Sequence, residues 1–227
     1  MTSLTSIPQS SSSFLPEEVL HAIESVRTKS LDWAEPVALT SQVWYRVHGQ
    51  MHAPINFSMR ATNRWNTAHK NLGTLCLGHT KAGCVLEALA RKMNHRYLTK
   101  QVAETHRLVR IDIADELRIA DLRGDCLSRL HMDMSILYSC DYKISRKFCE
   151  IMMDHPDKPE GMLCESKYSS ERWNLVLWGG DRVKKALTHK PISSVVEYLE
   201  SDDGLMEIKK IGFDLNYLVQ ENLPEPD

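Results

Sequence analysis

Four polar residues, each at the edge of an apolar segment, have the chemistry of a site for an anionic, sugar-containing ligand. Arg46 ends the motif WYR, Arg64 begins RWN, Glu87 lies in CVLEAL, and Ser166 lies in CESKYS. A guanidinium group offers a rigid fork of donors that fits a diphosphate. A carboxylate stabilises the positive charge that develops when a glycosidic bond breaks. If the four side chains converge, the sequence predicts a site that handles a dinucleotide.

Each of these residues also has a simpler structural interpretation. Helical periodicity puts Glu87 away from the apolar stripe of its helix, where it would pair with Arg91 one turn later. Arg46 would lie on a solvated strand face. Arg64 would be an exposed charge, and Ser166 would form a turn. Trp44 shares a strand face with Arg46 and favours a site, because an aromatic ring beside an arginine is a platform for a flat ligand ring.

The composition predicts an ordinary soluble domain. Of 227 residues, 42% are hydrophobic and 26% are charged, and the formal net charge is -2. Such a near-neutral balance argues against nucleic acid as a partner. No apolar run approaches the roughly 20 residues of a membrane helix. The chain begins with a polar segment whose first basic residue is Arg27, unlike a signal peptide. We therefore expect a cytoplasmic protein, or one delivered into another cell without a cleavable signal.

The cysteines and histidines do not form a metal-binding motif. The six cysteines include no CxxC pair, and the ten histidines include no HExxH motif. The thiols are therefore expected to be reduced and mostly buried, and no metal is expected. Cys76 is the first candidate for a nucleophile because His79 follows three residues later, although a buried structural thiol is the commoner case. The glycine-rich phosphate loops GxGxxG and GxxxxGK[ST] are absent.

Hydrophobic periodicity predicts helices and strands in mixed order. Helices are predicted at 16–27, 81–95 and 141–155, and Thr80 is predicted to cap the second of them. Strands are predicted at 42–48, 74–78, 107–112, 116–122, 161–166, 174–178 and 193–199. A long loop, residues 49–73, separates the first two strands. Since helices and strands do not alternate strictly, the prediction is an α+β fold with a mixed sheet and flanking helices.

The order of these segments between residues 43 and 180 resembles the RES domain family, which is named for its Arg, Glu and Ser. The family strand that ends in YR is similar to WYR and assigns the first arginine to Arg46. The family loop GGRWN is similar to TNRWN and assigns a second arginine to Arg64. The family glutamate, carried on a helix, corresponds to Glu87. The serine of a DG…S strand corresponds to Ser166, and the strand NLVLW points to Asn174.

The resemblance implies an ADP-ribosyltransferase-like fold that binds NAD as a substrate, in toxins that are often paired with an antitoxin. Glu87, Arg46 and Ser166 are the implied catalytic residues. Glu87 would stabilise the ribose cation as nicotinamide leaves, and Arg46 and Arg64 would clamp the pyrophosphate. The residues implied to contact NAD are Tyr45, Arg46, Arg64, Trp65, Cys76, Ser166 and Asn174, with Trp44 as another candidate for ring stacking.

Two departures from the family pattern leave alternatives open. Cys76 stands where the family has a tyrosine, and Thr62 and Asn63 stand where it has glycines. The leading hypothesis is cleavage of the nicotinamide–ribose bond by water or by phosphate. The first alternative is transfer of ADP-ribose to a protein. The second is a binding module without catalysis, which the cysteine favours.

The same reasoning divides the chain into four parts. Residues 1–13 are Ser/Thr-rich and predicted to be disordered. Residues 14–40 would form a helical extension, and 41–222 a RES-like NAD-binding catalytic domain. Residues 223–227 would be a frayed end.

Overall fold

A mixed seven-stranded sheet forms the centre of the computed structural model. The structure describes residues 17–29, 31, 39–60, 63–67, 69–89, 100–132, 142–166 and 169–210. The predicted terminal tails, Arg91, and the end of the second predicted helix lie outside these residues.

The strands follow the spatial order β4-β5-β6-β2-β1-β3-β7. Their bounds are β1 Trp44–Gly49, β2 Thr74–Gly78, β3 His106–Ile113, β4 Ile119–Asp121, β5 Gly161–Ser166, β6 Ser169–Trp178 and β7 Leu187–Ser194. All neighbouring pairs are antiparallel except β4 with β5, which are parallel. Strand β7 contains Pro191 at the edge of the sheet, where a missing backbone N–H is tolerated.

Helices flank the sheet. Their bounds are α1 Glu17–Ser25, α2 Lys81–Leu89, α3 Lys100–Glu104, α4 Cys126–Arg129, α5 Tyr142–Asp154, α6 Asp181–Ala186, α7 Val195–Glu200 and α8 Asp202–Lys210. Short 3₁₀ helices occur at Val26–Thr28, Leu39–Ser41 and His69–Asn71. Within the part of the chain that the structure describes, no helix is long and apolar enough to span a membrane.

Buried apolar side chains form three clusters against the sheet. Ile23 of α1 and Phe148 of α5 belong to the first cluster, together with Val176 of β6. Leu175, the preceding residue of β6, belongs to the second cluster, because successive strand side chains point to opposite faces. The third cluster joins α2 and α7 to β3 and includes Leu108. Burial on both faces thus fixes the sheet between its helices.

The predicted fold class is confirmed, since helices and strands are mixed as expected for an α+β protein. The predicted strand 74–78 matches β2, and the predicted helix 141–155 matches α5 within one residue at each end. Thr80 caps α2 as predicted, because its Oγ1 accepts a hydrogen bond from the Gly83 backbone N–H at 3.1 Å.

The predicted strand 193–199 is wrong. Strand β7 ends at Ser194, and helix α7 begins at Val195. Ser194 and Glu197 form a reciprocal capping box, in which the Ser194 hydroxyl accepts from the Glu197 N–H and the Glu197 carboxylate accepts from the Ser194 N–H. The Ser-x-x-Glu spacing indicates a helix start in sequence, and it outweighs the β-propensity of the two valines between them.

Candidate functional site

Glu87 is the centre of a hydrogen-bonded cluster between α2 and the sheet. Its Oε1 accepts a hydrogen bond from Ser166 Oγ at 2.8 Å and another from Asn174 Nδ2 at 2.9 Å. Ser166 lies at the end of β5, and Asn174 lies within β6. Three residues that are far apart in sequence are therefore brought together. The helix face that carries Glu87 lies against the sheet, which helical periodicity alone did not indicate.

Close packing of α2 on the sheet makes this contact possible. Tyr45, Gly78, Asn174 and Cys164 occupy one row across four strands. A Cβ atom placed on Gly78 would lie 2.8 Å from Cys84 Cβ in α2, which is closer than such atoms approach. The glycine therefore lets α2 contact the strand backbone directly, and this closeness brings Glu87 within reach of Asn174.

The end of β5 sets the position of Ser166. The register of β5 against β6 shifts between Glu165 and Ser166. Such irregularities in a strand pair turn a side chain to a new direction, often beside active sites. Ser166 is 3% exposed and Asn174 is 9% exposed. Both donors are therefore largely removed from water, and they orient the Glu87 carboxylate.

Arg46 is a half-buried cation with an unsatisfied donor. One of its terminal nitrogens donates to the Asn56 backbone oxygen at 3.2 Å. Its Nε is buried and has no hydrogen-bond partner among the described residues. Burial lowers the pKa of Arg46, and the nearby thiols of Cys76 and Cys84 oppose that shift. An arginine nevertheless stays protonated in proteins, so this group is suited to hold an anion.

The charges of Arg46, Arg64 and Glu87 affect the pKa values of two buried thiols. Burial raises the pKa of Cys84 to about 12, with Arg46 acting to lower it and Glu87 to raise it. Burial also raises the pKa of Cys164, where Glu87 again acts to raise it and Arg64 to lower it. The charges of Arg46, Arg64 and Glu87 thus act on neighbouring thiols. Of the four residues singled out from the sequence, Ser166 contacts Glu87 directly, and Arg46 and Arg64 each act on a thiol on which Glu87 also acts.

The segment that carries Arg64 is anchored at its buried end. Arg64 Cζ lies 5.8 Å from the centroid of the Trp65 ring. Asn66 is 1% exposed, and its Oδ1 accepts a hydrogen bond from Thr74 Oγ1 at 2.7 Å. The Asn66 Nδ2 is buried and has no hydrogen-bond partner among the described residues. This amide is a second unsatisfied donor, on the segment that carries Arg64.

The aromatic residues proposed for ring stacking are differently placed. Trp44 is 0% exposed and Trp65 is 6% exposed, and both pack in apolar clusters. Both indoles are thus buried, and contact of either with a ligand ring stays a prediction. Tyr45 is half-buried and contacts the third cluster. Cys76 is half-buried and contacts the first.

An aromatic and cationic stack beside β6 was missed by the sequence analysis. The His79 ring stacks on Trp173 with centroids 4.5 Å apart, and Arg123 Cζ lies 4.1 Å from the Trp173 centroid. Burial lowers the pKa of His79, and Arg123 lowers it further. His79 thus packs on Trp173, whereas the sequence suggested it as a partner for Cys76. The three members come from separate segments, and no local pattern joins them.

The described parts of the chain contain no metal centre, and three of their buried thiols have raised pKa values. They contain no group of three His, Cys, Asp or Glu residues that could hold a metal ion. Burial raises the pKa of the Cys149 thiol, as it does for the two thiols beside Glu87. A thiol with a raised pKa is a poor nucleophile at neutral pH.

Comparison with known proteins shows the fold. No protein-family model matches this chain, and no curated protein matches it either. Among solved structures, the chain is similar to a chain in the crystal structure of the M. tuberculosis MbcT–MbcA toxin–antitoxin complex. The TM-score is 0.56 and the sequence identity is 16%, and the alignment covers 78% of this chain and 93% of that chain. The two chains therefore share an α+β fold.

Proposed function

We propose that this chain is a toxin-type enzyme that cleaves the nicotinamide–ribose bond of NAD. The observation that carries the proposal is the Glu87 carboxylate, which is held by Ser166 and Asn174 in a region that also contains Arg46 and Arg64. These are the residues that the resemblance to the RES family implies for NAD cleavage.

The reaction needs a fixed negative charge beside the ribose. When the bond between ribose C1 and the nicotinamide nitrogen breaks, its electron pair leaves with nicotinamide and neutralises the pyridinium charge. Positive charge then develops on the ribose. A carboxylate that is already oriented by neighbouring donors stabilises this charge without further reorganisation. Glu87 would provide that stabilisation, and Ser166 and Asn174 would act as positioning residues through Glu87.

Two unsatisfied donors, one on β1 and one on the segment that carries Arg64, fit the rest of the substrate. Arg46 Nε and Asn66 Nδ2 are buried donors without hydrogen-bond partners among the described residues. A buried donor without an acceptor is costly, and a bound pyrophosphate or ribose oxygen would remove that cost. Arg46 and Arg64 would bind the pyrophosphate, and the half-buried Tyr45 is a candidate for contact with a ring.

The ribosyl cation must be captured by a nucleophile. Water would give ADP-ribose, with one proton released to solvent. Inorganic phosphate would instead give an ADP-ribose phosphate adduct. Both products follow from the same bond cleavage, so the proposal covers hydrolysis and phosphorolysis together.

The structural comparison supports a partner that controls the enzyme. The similar chain belongs to a toxin–antitoxin complex. An enzyme that consumes NAD would harm the cell that makes it unless its site were blocked. We therefore propose a cognate antitoxin or immunity protein as partner, and we expect the chain to act in the cytoplasm. Induced expression of the chain alone should deplete cellular NAD and slow growth.

The direct test is chromatography of NAD incubated with the purified chain, with and without inorganic phosphate. Wild-type protein should release nicotinamide. Glu87→Gln keeps an acceptor oxygen but loses the charge, so the rate should fall by about 10²–10³-fold. Circular dichroism and thermal unfolding should show that the variant keeps the wild-type fold.

Three other outcomes would change the proposal. Nicotinamide release at the wild-type rate by Glu87→Gln would remove Glu87 from the mechanism. Labelled protein bands from labelled NAD and cell extract, without free ADP-ribose, would indicate that the enzyme transfers ADP-ribose to a protein. NAD binding without nicotinamide release would indicate that the chain is a binding module and not an enzyme.

A further inference from the structure

Helix α5 carries three polar residues that recur at every fourth position. Arg146, Glu150 and Asp154 are separated by four residues each, so they lie on successive turns of one helix face. The opposite side of α5 is apolar and buried, and it includes Phe148 and Met152 with 0% exposure. The core therefore fixes the axis and rotation of the helix. We refer to Arg146, Glu150 and Asp154 as the α5 ladder.

Each member of the α5 ladder contacts the loop that carries Arg64. Arg146 Nε donates to the Asn63 backbone oxygen at 3.1 Å. The Thr67 hydroxyl donates to Glu150 Oε1 at 2.7 Å. At the end of the helix, Asp154 Oδ1 pairs with His69 Nε2 at 2.8 Å and with Lys70 Nζ at 2.5 Å. The order of the contacts along the helix matches the order of their partners along the loop.

The contacts bracket the proposed substrate-binding residues. Arg64 and Asn66 lie between the Asn63 contact and the Thr67 contact. Strand β2 holds the same segment from the other side, because Thr74 bonds to Asn66. Two fixed elements therefore hold a segment that has no regular secondary structure between residues 63 and 67.

We infer that Arg146, Glu150 and Asp154 are positioning residues that hold segment 63–70 in the place where Arg64 and Asn66 can bind NAD. This inference rests on the proposed function for its ligand, whereas the hold on the loop depends on the contacts alone. A fixed loop binds better than a mobile one because less conformational entropy is lost on binding. Arg64 would bind the pyrophosphate in both the ground state and the transition state. Loss of the ladder should therefore raise KM more than it lowers kcat.

The sharpest variant is Glu150→Ala, which removes the acceptor for Thr67 in the middle of the ladder. Its conservative counterpart is Glu150→Gln, which keeps a side-chain oxygen at the same distance. Lys147→Ala is the matched control. Lys147 lies on the same helix but contacts Glu24 of α1 at 3.1 Å rather than the loop. The measurements are steady-state kinetics of nicotinamide release and hydrogen exchange of the backbone amides in segment 63–70.

Glu150→Ala should raise KM for NAD about tenfold, change kcat less than about twofold, and speed amide exchange in segment 63–70 about tenfold. Glu150→Gln should restore most of both properties, and Lys147→Ala should leave both near wild type. Unchanged amide exchange in Glu150→Ala would overturn the hold on the loop.

Faster exchange with an unchanged KM would overturn the link between the loop and substrate binding. A wild-type chain that neither binds nor cleaves NAD would overturn the proposed function and the ligand part of the inference. The exchange measurement would still decide whether the ladder holds the loop.

Discussion

Glu87 and Asp154 are both carboxylates that accept several hydrogen bonds, but their surroundings differ. Glu87 accepts from the hydroxyl of Ser166 and the amide of Asn174, which are neutral groups on strands. Asp154 pairs with Lys70, His69 and Arg27 at the end of a helix.

Neutral donors orient a carboxylate without neutralising its charge, whereas cations cancel the charge and join segments together. The Glu87 cluster therefore suits chemistry that needs a negative charge. The Asp154 network suits the attachment of a loop and of the N-terminal helix region to α5. Variants in the Glu87 cluster and in the Asp154 network should distinguish these two roles of a carboxylate.

The largest effect is expected when a second negative charge is placed beside Glu87. Asn174→Asp would place another carboxylate where the amide nitrogen now lies 2.9 Å from Glu87 Oε1. Two such groups cannot both ionise easily, and the pair would retain a proton at neutral pH. Nicotinamide release at pH 7 should fall about 10²-fold.

The pH profile of Asn174→Asp distinguishes charge from simple misfolding. Above the raised pKa of the pair, the shared proton is lost and Glu87 regains its full charge, so part of the activity should return as the pH rises. Asn174→Ala lacks this group and should show no such return. An Asn174→Asp profile that parallels the alanine variant at every pH would argue against an effect of charge.

The next effect tests whether the Glu87 cluster depends on close helix packing. Gly78→Ala would force Cβ to within 2.8 Å of Cys84 Cβ, so α2 must move away from β2. We expect a loss of about 1–3 kcal/mol of unfolding free energy. Because Glu87 would move with the helix, nicotinamide release should fall about tenfold.

Urea unfolding and nicotinamide release measured on the same Gly78→Ala preparation check both expectations. Gly49→Ala is a suitable control because a Cβ atom on Gly49 would meet only His52 Cδ2, at an ordinary distance of 3.6 Å. Equal losses of stability in the two variants would contradict the importance of α2 packing.

A smaller effect is expected at Asp154, and it should depend on pH. The hydrogen bond from Lys70, followed by that from His69, lowers the pKa of Asp154 below its ordinary value of 3.8, although burial opposes the shift. A carboxylate with a lowered pKa stabilises the fold above its unfolded pKa and loses that contribution as pH falls toward the folded pKa. Since Lys70 and Arg27 are partly exposed, we expect about 1–2 kcal/mol at pH 7.

Asp154→Asn should therefore be less stable than wild type at pH 7, and the difference should shrink as pH falls below about 3.8. Urea unfolding at several pH values between 7 and 2.5 measures this difference. A constant difference across that range would show that the charge of Asp154 is unimportant. High salt at pH 7 should also reduce the difference, because partly exposed ion pairs are screened.

The smallest effect is expected at a place remote from both carboxylates. Ser194→Ala removes the side-chain half of the capping box at the start of α7. The cost should be about 1 kcal/mol of unfolding free energy, with nicotinamide release unchanged. Ser194→Asp keeps a capping acceptor and should recover most of the stability. A large loss of activity in Ser194→Ala would mean that the start of α7 positions α2, and with it Glu87, through the apolar cluster that the two helices share.

Local sequence patterns predicted much of the fold because they report local physics. The short apolar run in TLCLG predicted β2, and the apolar stripe of residues 141–155 predicted α5. The strand predicted at residues 193–199 was wrong because the prediction gave weight to the high β-propensity of two valines. The capping pair Ser194 and Glu197, which indicated the helix, also lay in the sequence and was overlooked.

The sequence also predicted some features of the candidate site and not others. The sequence supplied Arg46, Arg64, Glu87 and Ser166 as residues of suitable chemistry, and the ordered motifs supplied their resemblance to one family. It did not show that Trp44 and Trp65 are buried, because an aromatic residue beside an arginine is equally common in a core and in a binding site.

The sequence by itself determined which groups are present and indicated several of the segments that form helices or strands. Only the tertiary structure decided that Glu87 faces Asn174, because that contact depends on the strand register and on the close approach that Gly78 allows. Likewise, the spacing of the α5 ladder is visible in the sequence, but its loop partners are not. Contacts between distant segments are set by the packing of the whole core, and no local periodicity encodes them.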